Sequence, residues 1–116
     1  MDSVDNLKEA FAGESQANRK YLAFAKKADE EGLFQVARLF RAAAAAETVH
    51  AHNHLTVLKG INSTEENLEE AIAGEVEEFK KMYPAFIEEA EEENNKEAYW
   101  TFDVANKVEE IHAGLY

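Results

Sequence analysis

The sequence predicts an all-α protein in which four amphipathic helices form a bundle. The chain of 116 residues contains one Pro and five Gly, and the long stretches between them are rich in the helix-forming residues Ala, Glu, Lys and Leu. Apolar residues recur at helical spacing, and no segment alternates as a strand would. Hydrophobic residues make up 46% of the chain, which is enough to build one core. We therefore expect a single domain over residues 1–116.

Caps and breaks define the first two helices. The first begins after Asp2 or Ser3 and continues to Gly32, a residue type that typically caps the C-terminus of a helix. The second helix, LFQVARLFRAAAAAETVHAHNHLTVLK, is stopped by Gly60. The short connection at Gly32 predicts that these two helices pack as an antiparallel hairpin.

The third and fourth helices form a second hairpin. Ser63 begins the third helix with Ser-Thr-Glu-Glu, the sequence of a capping box. This helix extends to about Glu93, and we expect Pro84 to kink it because proline lacks the N–H that the helix interior needs. The fourth helix starts near Lys96 and ends at Gly114. The result is a bundle of four helices with short connections.

Charge and composition exclude several classes of function. The formal net charge is −12, so the phosphate backbone of a nucleic acid would be repelled. No apolar run approaches the roughly 20 residues of a membrane span, and the acidic N-terminus is unlike a signal peptide. We expect a soluble cytoplasmic protein with no nucleic-acid or membrane partner. The chain has no Cys, so any bound metal must take Glu, Asp or His ligands.

The chain repeats one helical hairpin, over residues 1–59 and 64–116. The first and third helices share the pattern AxAGE, and the second and fourth share Glu-x-x-His. The two AxAGE glutamates are 61 residues apart, and the two Glu-x-x-His motifs are 62 residues apart. Within each motif the Glu and His lie on one helix face and can reach one metal ion. The six repeated residues are Glu14, Glu47, His50, Glu75, Glu109 and His112.

These six residues have the composition of a two-metal site. One Glu from each of two helices and a Glu-x-x-His from each of the other two form the ligand set of ferritin-like di-iron and di-manganese bundles. Carboxylates with one imidazole per metal suit iron or manganese, and the lack of thiolates argues against structural zinc. A single Glu-x-x-His is more often a surface pair. The recurrence of all the motifs in matching order is what favours a metal site.

The two halves differ at one position that bears on chemistry. Ala17 in the first half corresponds to Glu78 in the second, one turn beyond Glu75. A surplus carboxylate near one metal could exchange with the histidine of that metal when the metal changes its charge. The alternative is a solvated glutamate, a description that fits Glu77 better. The glycines before the two AxAGE glutamates are expected to let helices approach closely beside the site.

Four segments of the chain resemble the ferritin-like domain of rubrerythrins, and the resemblance covers essentially the whole chain. They are AFAGESQANRKYLAFAKKADEEG, LFRAAAAAETVHAHNHL, AGEVEEFKKMYP and VEEIHAGLY. The resemblance implies a centre of two iron ions, for which manganese or zinc could substitute. The implied carboxylate ligands are Glu14, Glu47, Glu75, Glu78 and Glu109, and the implied imidazole ligands are His50 and His112.

The resemblance also implies roles near the metals. The exchange of an iron ligand in this family would fall on His50 and Glu78. Tyr21 and Tyr83 match tyrosines that the family places near the cluster, where a phenol can donate a hydrogen bond to a ligand or to bound peroxide. The alternative for both tyrosines is a plain role in the core.

The function that the resemblance implies is reduction of hydrogen peroxide by a non-haem di-iron peroxidase, as a defence against oxidative stress. Rubrerythrins typically carry a rubredoxin domain whose four Cys hold one iron, and this chain has no Cys. We therefore expect an external electron donor of the rubredoxin type, with the chain either a short family member or one domain of a longer protein. The alternatives are a ferroxidase that handles iron and a structural module with an incidental metal.

Chain geometry predicts how the bundle assembles. In a ferritin-like arrangement the second and third helices run parallel. The second helix extends about 16 Å from Glu47 to Leu58, and the third needs about 18 Å from Ser63 to bring Glu75 to the level of the metals, so the connection must span about 34 Å. Residues 58–63 reach at most about 17 Å when fully extended. Either the chain forms a simple up-down bundle, or the hairpins are exchanged between two copies in a swapped homodimer. We favour the swap, which gives each dimer two di-iron sites.

Overall fold

The computed structural model describes residues 2–116, and it confirms the all-α prediction. The helices are α1 (Ser3–Glu30), α2 (Phe34–Val57), α3 (Thr64–Glu77), α4 (Tyr83–Glu92) and α5 (Lys96–Leu115). A π-helical turn, Glu78–Met82, joins α3 to α4 without a break, so the described chain has four helical stretches. None of the helices in residues 2–116 is both long and apolar enough to cross a membrane.

The chain divides into two compact units, one ending at Ile61 and the other running from Asn62 to Tyr116. We call them hairpin 1, which contains α1 and α2, and hairpin 2, which contains α3, the π-turn, α4 and α5. The division falls in the connection between α2 and α3. Each unit is therefore a pair of helical stretches joined by a tight turn.

Side-chain caps fix the start of three helices. The carboxylate of Asp2 accepts a hydrogen bond from the Asp5 N–H at 2.8 Å, so Asp2 and not Ser3 is the cap of α1. The hydroxyl of Ser63 accepts from the Glu66 N–H at 3.2 Å, as the capping-box sequence predicts. The side chain of Asn95 caps α5 in the same way. These bonds satisfy N–H groups that have no partner inside the helix.

The ends of the helices use left-handed residues. Gly32 has φ +77° and closes α1, as predicted. Asn94, 62 residues later, takes φ +57° at the equivalent place in hairpin 2. At the end of α2 the structure differs from the prediction, because Lys59 adopts the left-handed conformation, with φ +62°, and Gly60 follows it. A Cβ on Gly60 would lie 2.4 Å from the Leu55 Cδ1 atom, so any other residue there would displace the end of the Leu55 side chain.

Small side chains set the packing of hairpin 1. Ala25, Ala28 and Ala37 are at most 5% exposed and form a cluster against which Phe40 packs. Alanine surfaces let α1 and α2 approach closely. No large side chain in the described residues is fully buried. The interior of the hairpin is therefore thin, and larger apolar side chains remain at its surface.

One buried polar side chain ties the helices of hairpin 1 together. Asn18 on α1 is 9% exposed, and its Nδ2 atom donates to the Ala44 carbonyl at 2.9 Å and to the Thr48 Oγ1 atom at 2.8 Å, both on α2. Its Oδ1 atom accepts from Arg19 Nε at 2.9 Å. A buried amide that makes all these hydrogen bonds stabilises the fold, whereas a buried polar group left without a hydrogen bond would lower the free energy of unfolding.

We expect Asn18→Ala to lower the free energy of unfolding by about 1–3 kcal/mol, because it removes two interhelical hydrogen bonds and leaves the Thr48 hydroxyl without its donor. Urea denaturation followed by circular dichroism measures this change. The matched control is Asn53→Ala on the exposed surface of α2, which should change the free energy by no more than about 0.5 kcal/mol. Equal effects of the two substitutions would show that the bonds of Asn18 contribute nothing.

The third helical stretch contains a π-turn where the sequence led us to expect a kink at Pro84. The Tyr83 N–H donates to the Glu78 carbonyl, five residues back, which is the π-helical pattern. Pro84, which has no N–H, lies at the start of α4, directly after the π-turn. Glu14 and Tyr21 are seven residues apart, whereas Glu75 and Tyr83 are eight apart. The π-turn therefore accommodates one residue that hairpin 1 lacks.

Candidate metal centre

Hairpin 1 brings three of the predicted ligands together. Glu14 projects from α1, and Glu47 and His50 project from adjacent turns of α2, with one ligand atom of each within 4.8 Å of the others. The His50 Nδ1 atom lies 3.5 Å from Glu14 Oε2 and 3.8 Å from Glu47 Oε2. The two carboxylates are largely shielded, with side-chain exposures of 26% and 20%. We call these residues trio 1.

Hairpin 2 builds the same arrangement, which we call trio 2. Glu75 comes from α3, and Glu109 and His112 come from α5. The His112 Nδ1 atom lies 3.6 Å from Glu75 Oε2 and 3.9 Å from Glu109 Oε1. Each distance agrees with its counterpart in trio 1 to 0.1 Å. The sequence repeat is therefore also a repeat of side-chain geometry.

Each trio contains a buried oxygen that lacks a hydrogen-bond partner. Glu14 Oε2 in trio 1 and Glu75 Oε2 in trio 2 are inaccessible to solvent and accept no hydrogen bond from any residue in 2–116. An ionised carboxylate oxygen in that position is costly unless a cation compensates it. Two carboxylates and one imidazole form a donor set that iron or manganese accepts. The residues of each trio thus fit one metal ion.

Glu78 belongs to neither trio. It is the first residue of the π-turn and is half-buried, whereas its neighbour Glu77 is 60% exposed and pairs with Lys81 at 3.7 Å. The structure thus agrees with the sequence analysis that Glu77 is the solvated glutamate of the two. Glu78 lies one turn beyond Glu75, at the place where the helix departs from α-helical geometry. Such π-turns occur frequently at functional sites.

The two tyrosines pack in aromatic clusters. Tyr21 contacts Phe24 and Phe40, with ring centroids 6.3 Å and 6.1 Å away. Tyr83 forms the same cluster in hairpin 2, with residues that each lie 62 positions after those of hairpin 1, namely Phe86 and Phe102. Neither hydroxyl makes a hydrogen bond within residues 2–116. The repetition of two phenylalanines at this offset could have been found in the sequence, but our sequence analysis missed it.

The expected close approach at the glycines of the two AxAGE motifs is absent from both hairpins. A Cβ built on Gly13 or on Gly74 meets no atom within 4 Å. No contact inside the described residues therefore requires glycine at these positions. Both glycines are exposed beside a metal-ligand candidate.

Comparison with known protein families agrees with the geometry of the two trios. Residues 5–116 match the family model described as Rubrerythrin. The chain is 38% identical to Rubrerythrin-2 of Clostridium acetobutylicum over 98% of its length, 40% identical to nigerythrin of Nitratidesulfovibrio vulgaris over 98%, and 43% identical to the rubrerythrin of Porphyromonas gingivalis over 92%. It spans 70%, 63% and 60% of the lengths of these three relatives.

Solved structures give the same relationship. A structure of nigerythrin in its fully reduced, all-ferrous state is 39% identical and matches with a TM-score of 0.50, covering 100% of this chain and 64% of that one. A mixed-valence structure of nigerythrin matches with the same score at 40% identity. The all-α, ferritin-like fold predicted from the repeated ligand motifs is therefore confirmed.

Proposed function

The chain belongs to the rubrerythrin family, and on that basis we propose that it is a di-iron peroxidase that reduces hydrogen peroxide to water with electrons from an external donor. The observation that carries this proposal is the pair of matching trios, each with a buried carboxylate oxygen that a bound cation would compensate. Two metal ions held by carboxylates, as in ferritin-like di-iron bundles, can supply one electron each to a two-electron reduction.

Seven residues would hold the metals and balance their charge. Trio 1 would hold one ion, trio 2 the other, and Glu78 would serve as the additional carboxylate. Bound ferrous ions would supply the two electrons and the Lewis acidity that convert one hydrogen peroxide, with two protons, into two waters. The buried oxygens of Glu14 and Glu75 keep their negative charge out of solvent, where it attracts a cation most strongly.

The difference between the hairpins supports a ligand exchange on one side. His50 is 53% exposed, more than any other member of the trios, so its imidazole has room to leave and return. Glu78 is half-buried and free of a salt bridge within the described residues, and Ala17 offers no such group in hairpin 1. We propose that His50 and Glu78 alternate as ligands, with Tyr21 and Tyr83 placed to donate a hydrogen bond.

We further propose that the centre forms in a swapped homodimer. Each hairpin holds three of the ligands, and six residues, 58–63, connect α2 to α3. These six residues are too short to join two parallel helices of one bundle. Both hairpins also expose large apolar side chains, for example Phe24 at 46%, Leu39 at 69% and Ile111 at 63%. A hairpin of a second copy would cover such side chains and complete the ligand set.

The electron donor would be a redox centre of the rubredoxin type that lies outside these 116 residues. A Cys-bound iron cannot lie in this chain, because it contains no Cys. Zinc would occupy the same ligands without supplying electrons, because it has no redox chemistry.

Anaerobic stopped-flow absorbance tests the reaction. The ferrous protein is mixed separately with hydrogen peroxide and with air-saturated buffer, and the iron content is determined on the same sample. We expect oxidation at about two iron per chain, faster with peroxide than with oxygen by at least about tenfold. Faster oxidation by oxygen that continues beyond two iron per chain would instead identify a ferroxidase.

Glu78→Ala serves as the mechanistic control, because it gives hairpin 2 the residue that hairpin 1 has at position 17. Both trios stay complete, so we expect the iron content to remain at about two per chain. The rate with peroxide should fall by at least about tenfold, a change of about 1.4 kcal/mol in the barrier. An unchanged rate would remove Glu78 from the mechanism and leave the metal site in place.

A further inference from the structure

A groove of about 430 Å³ lies between α1 and α2 and shares no residue with trio 1. Its volume is in the range of sites for small organic molecules. All of its lining residues belong to hairpin 1, so the groove is complete within one unit. The proposed peroxidase function makes no use of it.

An arginine is held in place at one end of this groove. Arg19 Nε donates to Asn18 Oδ1 at 2.9 Å, and Asn18 is anchored in turn to Ala44 and Thr48 of α2. The rest of the guanidinium group makes no ion pair within the described residues, although the chain has 24 acidic residues. A guanidinium that is oriented in advance and unpaired is suited to bind a carboxylate.

The groove changes from polar to apolar along its length. α1 and α2 are antiparallel, so Phe11 and Leu55 lie together at the end away from Arg19, about 12 Å along the helix axis. Ser15 lies on α1 midway between Phe11 and Arg19, and its hydroxyl makes no hydrogen bond within residues 2–116. The Thr48 hydroxyl already donates to the Ala44 carbonyl at 3.1 Å. The donors that remain for a ligand are therefore Arg19, Ser15 and, across the groove, His52.

Hairpin 2 lacks these groups, although it repeats the metal ligands. The residues 62 positions after Thr48 and His52 are Glu110 and Gly114, and the residue 61 positions after Ser15 is Val76. The groove is therefore not a by-product of what the two hairpins share. Its polar lining is specific to the half of the chain that carries Arg19.

We propose that this groove binds an amphipathic monocarboxylate. The carboxylate accepts hydrogen bonds from the free guanidinium nitrogens of Arg19 and from the Ser15 hydroxyl, and the apolar body lies against Phe11 and Leu55. A single guanidinium matches a single carboxylate. Polyanions such as nucleotides are disfavoured, because the net charge of the chain is −12 and one arginine does not offset the repulsion of several negative charges.

Isothermal titration calorimetry with octanoate tests this proposal, since its extended chain is comparable in length to the groove. The zinc-loaded protein is used, because it keeps the trios filled and is diamagnetic. We expect Arg19→Gln to weaken octanoate binding by at least about tenfold, and octanol, which lacks the charge, to bind as weakly. Arg38→Gln, an exposed arginine on α2 outside the groove, is the matched control and should change binding less than about twofold.

Amide shifts in nitrogen-15 NMR spectra locate the ligand. We expect octanoate to shift the signals of Ser15, Thr48 and Leu55 and to leave those of Glu75 and His112 in place. Binding that is equal in wild type and Arg19→Gln, with shifts at the trios, would mean that the carboxylate coordinates zinc, and it would overturn the proposal. Absence of binding to the folded wild-type protein would overturn it too. Neither result would affect the proposed peroxidase activity.

Discussion

Glu75→Gln will reduce the bound metal from about two ions to about one per chain and will lower the rate of peroxide reduction by at least about 100-fold, or about 2.7 kcal/mol in the barrier. Glu75 supplies the buried oxygen of trio 2, which no hydrogen bond satisfies. The amide of glutamine presents the same shape without the charge that attracts the cation. Metal analysis of the purified protein and steady-state consumption of peroxide measure the two effects.

Glu77→Gln is the matched control on the same helix. Glu77 is two residues away, 60% exposed and paired with Lys81, and such surface pairs contribute at most about 1 kcal/mol. Its substitution should leave the metal content and the rate unchanged. Equal losses in the two variants would mean that the overall negative charge of the chain, and not the geometry of trio 2, attracts the metal.

Glu75→Gln should stabilise the metal-free protein, although it weakens metal binding. Without a cation, the buried Glu75 oxygen and the nearby Glu109 carboxylate oppose folding. Glu75→Gln should therefore raise the free energy of unfolding of the chelator-treated protein by about 1 kcal/mol, measured by urea denaturation. Destabilisation in both forms would show that Glu75 is a structural residue and not a metal ligand.

Two inactive variants should restore activity when they are refolded together. One chain carries Glu47→Ala and His50→Ala in hairpin 1, and the other carries Glu109→Ala and His112→Ala in hairpin 2. In a swapped dimer each centre takes hairpin 1 from one chain and hairpin 2 from the other. A mixed dimer therefore has one centre with both defects and one intact centre. Random pairing predicts about one quarter of the wild-type activity from an equal mixture.

The alternative arrangement gives a different result. If both hairpins of a centre came from one chain, every centre in the mixture would carry a defect, and no activity would return. Each variant refolded alone controls for residual activity, and light scattering on the mixture establishes that dimers have formed. Metal content does not distinguish the two arrangements, because each variant keeps one intact trio and should hold about one ion per chain in either case.

The sequence alone predicted the elements that depend on local interactions. Helix periodicity placed the four helical stretches, and capping side chains such as Asp2 and Ser63 act within one turn of their own position. The six repeated ligand candidates were predicted for the same reason, because Glu-x-x-His spacing on a helix fixes which face both side chains share. The identities of ligand candidates therefore follow from residue order and helix geometry.

The tertiary structure decided which groups lose their contact with water and which partners they find. Only packing of α1 on α2 buries Asn18, orients Arg19 and leaves the Glu14 oxygen without a hydrogen bond. The π-turn at Glu78, which precedes Pro84, and the left-handed Lys59, which precedes Gly60, were likewise not predicted from the sequence. Burial and hydrogen-bond partners depend on residues distant in the chain, whereas spacing along a helix depends on near neighbours. This is why the sequence alone predicted the ligand candidates but not the groove.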